Sequence, residues 1–169
     1  MKISRSMTGF SLVELTFALG VASFCLLSIL GLIPVGLTSN QNAVYQTVAT
    51  GLMSTVAADL RATQRTIPAT AQTSPRFQLS IPVSGGTAAT QTLYFREGGD
   101  VIGEPNTSAT SDARYRATIT WIVPDGSSPR CSTAARILVT WPALVDPSPA
   151  SLPSKFIGSV ETIMALDRN

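Results

Sequence analysis

The sequence has no histidine among its 169 residues and only two cysteines, Cys25 and Cys131. Histidine is the commonest general base and a common metal ligand, so its absence removes the usual basis of a catalytic or metal site. Cys25 lies inside the longest apolar run, too far from Cys131 for an intramolecular disulfide. Cys131 is interpreted as a free thiol in preference to an intermolecular bridge. We therefore expect no enzyme, no cofactor, no metal and no small-molecule substrate.

Charge is also scarce, at 13% of residues against 44% hydrophobic ones, which excludes a disordered chain. Two of the twelve basic residues, Lys2 and Arg5, precede the apolar run, and the other ten are interspersed with ten acidic residues. This distribution forms no basic patch, so no nucleic-acid partner is predicted.

Four acidic residues between positions 97 and 112 raise the alternative of a calcium loop. They are Glu97, Asp100, Glu104 and Asp112. Their spacing matches no EF-hand, and solvated acids in turns are the preferred interpretation.

What the sequence does have is an uncharged run from Leu15 to Leu37, "LTFALGVASFCLLSILGLIPVGL". As a helix at about 1.5 Å per residue it covers a hydrocarbon core of about 30 Å. The apolar core of a cleavable secretory signal is shorter, and no Ala-x-Ala site follows this run. Phe24 before Cys25 also argues against a lipoprotein anchor. Lys2 and Arg5 place the N-terminus in the cytoplasm and the residues after 38 outside.

Glu14 lies at the head of this run, where two interpretations are open. Ser11 and Glu14 in "SLVE" have the spacing of a capping box, and an acid in the first turn is favoured by the helix dipole. A carboxylate at or inside a bilayer, however, costs a few kcal/mol unless it finds a partner. Under the first interpretation, Glu14 only caps the helix of a single-span anchor. Under the second, its carboxylate has a functional role that requires a partner.

The residues "GFSLVEL" resemble the prepilin N-terminus of type IV pilins and type II secretion pseudopilins. The resemblance implies leader cleavage between Gly9 and Phe10 by a prepilin peptidase and N-methylation of Phe10. It also implies that Glu14 meets the N-terminal amine of a neighbouring subunit in the core of a filament. Before cleavage that amine does not exist, so the precursor is expected to carry an unpaired carboxylate. Within the family, "GLIPVGL" ahead of "AADLR" is similar to cassette protein B, a pilin-like group of verrucomicrobial gene cassettes.

Beyond Asn40 the sequence is typical of an amphipathic helix that reaches about Gln64, with Asp59 among its polar positions. Gly20, Gly31, Pro34 and Gly51 are potential kinks. One apolar stripe is predicted to pack against a sheet, and it consists of Val44, Val48, Leu52, Val56 and Leu60.

After Pro68 the periodicity changes to two, which predicts strands. They lie in "FQLSIPV", in "TLYFREGGDVI" with a turn at Gly98-Gly99, and in the hairpin formed by "YRATITWIV" and "AARILVTW". "KFIGSVETIMAL" is a final strand or a short helix. The Pro- and Ser-rich stretch 146–153 is interpreted as a surface loop.

These observations predict an α+β fold in which a long N-terminal helix packs on an antiparallel sheet of four or five strands. The expected segments are a leader (1–9), a membrane-spanning half of the helix (10–37), an amphipathic half (38–66) and a β-rich domain (67–169). The resemblance implies a minor pilin or pseudopilin whose partners are the peptidase, other subunits and the inner membrane. The alternative is a membrane-tethered binding module. Secretion, adhesion, motility and DNA uptake are not distinguished.

Overall fold

The computed structural model of the chain describes residues 9–63, 72–82, 89–122, 133–144 and 157–166. The chain divides into two compact units, Met1–Ala43 and Val44–Asn169. The described elements, in chain order, are α1 (Leu12–Ala62), β1 (Gln72–Thr73), β2 (Ser80–Ile81), β3 (Gln91–Phe95), β4 (Val101–Ile102), β5 (Tyr115–Ile122), β6 (Thr133–Trp141) and β7 (Gly158–Leu166).

Helix α1 begins one residue after Ser11, whose carbonyl accepts the first helical bond from Leu15 N–H at 3.2 Å. It continues through Pro34, although proline donates no N–H and so leaves the Leu30 carbonyl without its usual donor. One turn later the Thr38 hydroxyl donates to the Pro34 carbonyl at 3.1 Å. The predicted long helix is confirmed, and Ser11 occupies the position directly before its first residue, with its backbone carbonyl as the acceptor.

Five strands of the second unit form an antiparallel sheet in the order β4-β3-β5-β6-β7. With α1 this confirms the predicted α+β fold class. The predicted alternation is also confirmed, because one residue in two is buried along β5 and along β6 as far as Val139, after which Thr140 is buried as well as Trp141. The last segment is a strand, β7, paired with β6 over nine residues. Val123 and Cys131 lie outside the described residues.

The turn between β3 and β4 is built as predicted around two glycines. Arg96 N–H donates to the Asp100 carbonyl at 2.9 Å, and Gly99 N–H donates to the Arg96 carbonyl at 3.0 Å. Gly99 has φ of 91°, in the left-handed region where a side chain is strained. The sequence therefore located this hairpin through its glycines.

The segment "FQLSIPV" differs from its prediction, because only Ser80 and Ile81 form a strand. Phe77 lies in a turn, and Gln78 has φ of 53°. Phe77 and Leu79 are nevertheless buried with Ile81 in the main core. The alternation thus marked burial correctly but extended the strand too far, and Val83 lies outside the described residues.

The core of the second unit lies between one face of the sheet and the C-terminal part of α1. Leu52, Val56 and Leu60 are buried in it, and Val48 packs against it while partly exposed. Val44, which the pattern assigns to the same stripe, is 51% exposed. The stripe therefore begins to pack against the core one turn later than expected, at Val48, and is buried from Leu52 onwards.

Asp59 is buried, which corrects its assignment to the polar face. Its Oδ1 accepts the N–H of Arg76 at 2.9 Å, and its Oδ2 accepts the N–H of Phe77 at 3.1 Å. The carboxylate thus satisfies two backbone donors of the turn before β2 and holds that turn against α1. It also explains why Phe77 is in a turn and not in a strand.

We expect Asp59→Asn to destabilise the chain by about 2 kcal/mol, because the amide retains one acceptor and turns an N–H₂ group towards a backbone donor. Urea unfolding in detergent, followed by the fluorescence of the buried Trp121 and Trp141, measures this change. Glu104→Ala is the control, since Glu104 is exposed and its side chain makes no hydrogen bond among those described. Equal stability of the two variants would contradict the role of Asp59.

Gly158 and Trp141 are register partners at one end of β6 and β7. A Cβ atom on Gly158 would lie 2.2 Å from Cζ2 of Trp141, far inside van der Waals contact. Tyr115 on β5 packs edge-on against the same indole, with 6.2 Å between ring centroids. The indole therefore occupies space that only glycine leaves free.

An ion pair joins β6 and β7 on the face of the sheet that points away from the core. The Arg136 guanidinium donates from Nε to Glu161 Oε1 at 2.6 Å and from Nη2 to Oε2 at 2.8 Å. The hydrogen bond to Arg136 lowers the pKa of Glu161. Its contribution is therefore present above the ordinary pKa of glutamate and is lost as the pH falls. Both side chains are substantially exposed, so this contribution is small.

Candidate processing and membrane segment

The residues around the expected cleavage bond lie just before α1 and are open to solvent. Gly9 and Phe10 precede the helix, and Phe10 is 89% exposed. Nothing lies within 4 Å of a Cβ atom built on Gly9. The Gly9–Phe10 bond is thus in a non-helical, sterically open stretch of chain.

Glu14 lies in the first turn of α1, three residues after the capping residue. Its Oε2 accepts the backbone N–H of Ser11 at 3.3 Å, which is one half of a capping box. The carboxylate of the uncleaved chain therefore has a hydrogen-bond donor. This bond is the one that the capping-box interpretation predicts, and its donor is neutral, so the expectation of a carboxylate without a cationic partner stays a prediction.

Between Leu15 and Leu37 every side chain of α1 is exposed, and none is charged. The hydroxyls in this stretch bond back to the helix itself. Ser23 donates to the Leu19 carbonyl at 2.8 Å, and Ser28 donates to the Phe24 carbonyl at 2.9 Å. This part of the helix therefore presents an apolar surface whose hydroxyls are already satisfied.

A groove of about 450 Å³ follows one side of this surface at Gly20. Phe17 and Phe24, one turn before and after the glycine, form its walls. The missing side chain of Gly20 makes the notch, and its lining is mainly apolar.

Helix α1 is long and apolar enough to cross a membrane, and it lies near the N-terminus. By length and composition alone, such a helix is either a single membrane span or a signal sequence. Cys25 lies within it as a free, exposed thiol.

The four acids considered for calcium do not form a site. Asp112 accepts a hydrogen bond from Thr110 and a charged one from Arg96 Nε at 2.7 Å, and these two partners lower its pKa. Among the described residues, no three His, Cys, Asp or Glu side chains lie together as metal ligands would. The arrangement is that of solvated acids with a local ion pair.

A second group of residues, which the sequence did not single out, lies where α1 enters the second unit. The Arg114 guanidinium lies over the ring of Tyr45, with 4.2 Å between Cζ and the ring centroid. Beside it Tyr115 is buried, which raises the pKa of its hydroxyl, and that hydroxyl has no hydrogen-bond partner among the described residues. In the sequence, the only indication of this group was the tyrosine that directly follows Val44 of the predicted apolar stripe.

The residues expected at the site thus fall into two groups. Gly9, Phe10 and Glu14 share the exposed start of α1, and Val48, Leu52, Val56 and Leu60 line the core of the second unit. In comparisons with known proteins, the chain matches no protein-family model, no curated protein and no solved structure.

Proposed function

We propose that the chain is a structural subunit, a minor pilin or pseudopilin, of a type IV pilus-like or type II secretion filament. A prepilin peptidase cleaves it between Gly9 and Phe10, and the new amine of Phe10 is methylated. The helix after Phe10 anchors the chain in the inner membrane with its N-terminus in the cytoplasm, and the β-rich unit lies outside. Other subunits then associate with the same helix.

The observation that carries this proposal is the position of Glu14. It is the last charged residue before Asp59, and it lies at the head of an exposed apolar helix that starts two residues after the expected cleavage bond. Its donor, Ser11 N–H, is neutral, and no cation among the described residues is paired with the negative charge. An ammonium group on Phe10 of the same or a neighbouring chain would lie within about one helical turn and would supply that charge.

A membrane-tethered binding module is the second candidate, and the bond between Ser11 and Glu14 favours it. In that case Glu14 only caps the helix, α1 only anchors the chain, and the sheet binds a partner. The two candidates differ in what the charge of Glu14 does, and this difference can be tested.

Processing is the first test of the filament proposal. We expect mass spectrometry of the mature protein from its native host to show an N-terminus at methylated Phe10. An N-terminus at Met1 or after residue 38 would refute the pilin-like assignment.

Gly9→Val is the matched variant for processing. A side chain at position 9 meets nothing within 4 Å, so the folded unit is expected to be unaffected. The leader should nevertheless remain attached, because the bulky side chain lies directly before the bond to be cleaved. Normal cleavage of this variant would exclude a requirement for glycine.

Glu14→Gln tests the charge separately from the cap. Glutamine can accept the Ser11 N–H as glutamate does, so the start of the helix is expected to be retained. We expect membrane insertion and leader cleavage to persist and assembly to fall strongly, measured as crosslinking between subunits or co-purification with the major subunit.

Ser11→Ala is the control for Glu14→Gln. It removes only the Ser11 hydroxyl and keeps both the backbone donor and the charge of Glu14. We expect it to assemble as the wild type does. Equal assembly of Glu14→Gln and wild type would instead leave Glu14 as a helix cap and support the tethered module.

A further inference from the structure

The two edges of the five-stranded sheet are built differently. At one edge, β4 has only two residues, Val101 and Ile102. Beyond them, Asn106 N–H donates to the Thr92 carbonyl at 2.8 Å, and Asn106 Oδ1 accepts the Thr92 N–H at 3.0 Å. The chain itself therefore satisfies the backbone of β3 past the end of β4.

At the other edge, β7 is long and regular. Its nine residues, Gly158–Leu166, pair with β6 in one continuous register without a bulge. Among the described residues, no strand pairs with the outer side of β7. In an antiparallel strand, alternate residues direct their N–H and C=O groups to opposite sides, so an edge strand leaves one set of them unpaired. β7 therefore presents a row of backbone donors and acceptors.

The side chains of β7 do not protect this edge. Natural edge strands are commonly protected by proline, by lysine or by other charged residues. The strand "GSVETIMAL" has no proline and no lysine, and its one charged residue, Glu161, is held by the guanidinium of Arg136. Ile163, on the same face, is 61% exposed. A long, regular strand of this composition is suited to accept a further strand.

The core side of β7 is also incompletely covered. Ile137 and Val139 of β6 are fully buried, whereas their register partners in β7, Thr162 and Val160, are only partly buried. Side chains directly opposite on neighbouring strands contact each other. An apolar side chain on a strand beside β7 would therefore cover Val160 and complete this row.

The chemistry of the edge indicates what kind of segment fits it. Ile163 on the outer face and Val160 on the core side both favour apolar neighbours, and the paired charge of Glu161 requires no further cation. A second copy fits less well, because antiparallel pairing of β7 with itself over its whole length sets Glu161 opposite Ile163. An uncharged extended segment with β-branched residues suits both faces.

We propose that the outer edge of β7 binds an extended, uncharged segment of another protein, which joins the sheet as a sixth strand. Backbone hydrogen bonds supply the affinity, and contacts with Ile163 and Val160 fix the register. This contact gives the sheet of a tethered module its partner, and it gives a filament subunit a contact besides its helix. It involves the second unit alone, so its test requires neither leader cleavage nor the charge of Glu14.

The test uses the full, uncleaved chain in detergent and a fluorescent peptide of alternating threonine and valine, with a short polyethylene glycol chain at one end. Two further versions of the peptide are N-methylated, one at every valine and the other at every threonine. A peptide paired with β7 directs only one of these two sets of N–H groups to the strand. We expect fluorescence anisotropy to show binding of the unmodified peptide and of one methylated version. Equal binding of both methylated versions, or no binding of the unmodified peptide, would overturn the proposal.

Ile163→Lys tests the position of the peptide on the chain. A lysine on the edge should weaken binding by about tenfold. Val101→Lys is the matched control at the opposite edge, where Val101 of β4 is 41% exposed. Both side chains are exposed, so urea unfolding is expected to be unchanged in both variants. Weaker binding in Val101→Lys and not in Ile163→Lys would place the peptide at the wrong edge and overturn the proposal.

Amide hydrogen exchange in the same sample distinguishes the other occupants of this edge. In the free chain, alternate amides of β7 should exchange fast, and the peptide should slow them. Slow exchange of all β7 amides in a monomer would show that the chain itself covers the edge. The same protection in a particle that light scattering shows to contain two chains would identify a second copy as the occupant. Either result would overturn the proposal and leave the assignment of α1 unaffected.

Discussion

Leu52→Asp is expected to unfold the second unit or to destabilise it by about 4 kcal/mol or more, because a charge replaces a buried aliphatic side chain and the described core cluster around it contains no cation. Leu52 lies in the main core. Its Cδ2 faces the turn at Gly99, where an added Cβ would be 3.6 Å away. The change thus affects both the helix packing and the β3–β4 hairpin. Urea unfolding in detergent, followed by tryptophan fluorescence, gives the free energy of unfolding.

Val44→Asp is the matched control on the same helix, two turns earlier. The sequence pattern places Val44 and Leu52 on one stripe, but Val44 is half exposed. We expect its substitution to change stability by no more than about 0.5 kcal/mol. Comparable losses in the two variants would show that the buried stripe begins at Val44, as the sequence alone indicates.

Gly158→Ala is expected to cost about 3 kcal/mol, at the upper end of the range for overpacking. The new Cβ would lie 2.2 Å from the indole of Trp141, a rigid ring that is itself buried against Tyr115. Neither the ring nor the strand can yield without disturbing the register of β6 and β7. The same unfolding experiment measures the loss.

Gly51→Ala provides the control with the opposite sign. Gly51 is inside α1, and nothing lies within 4 Å of a Cβ atom built on it. Alanine should therefore stabilise the helix by about 0.5 to 1 kcal/mol.

Trp141→Leu should relieve part of the destabilisation caused by Gly158→Ala, and a double-mutant cycle of the two substitutions would then be non-additive. Additive losses would exclude a direct clash between the two residues.

The parts of the fold that the sequence predicted are those with a local signal. Alternation in β5 and β6 and the Gly98-Gly99 turn depend on residues close together in the chain, and each is confirmed. For β7 the signal was ambiguous, because Thr162 lies on the inward side and Ile163 on the outward side. Pairing with β6 decided the conformation there, and pairing is not visible in a single segment.

Asp59 shows what the sequence could not predict. In a helical pattern an aspartate between apolar residues indicates the solvent side, yet here it accepts two backbone donors that are 17 and 18 residues away. The donors are ordinary N–H groups with no sequence signature. The pair of Tyr45 and Arg114 was missed for the same reason, since its members are brought together only by the fold.

At the start of α1, the functional interpretation depends more on the sequence motif than on the fold. The spacing of Ser11 and Glu14 predicted a helix start, and α1 starts there. The amine expected to compensate Glu14 forms only after cleavage, so its effect depends on processing and on neighbouring chains. The experiments on Gly9→Val and Glu14→Gln address these two steps separately.

The hydroxyls of Ser23 and Ser28 bond to their own helix, and in the proposed filament this would restrict how α1 selects its neighbours. A helix in lipid usually chooses partners through small residues that permit close approach and through polar side chains that bond between helices. Here the polar bonds are already used within one chain. Selection along the apolar segment then depends on shape, chiefly the notch at Gly20 between two phenylalanines. If α1 assembles as proposed, a contact of this kind would accept any helix with a complementary contour and permit assemblies of mixed composition, and only the charge of Glu14 would set their register.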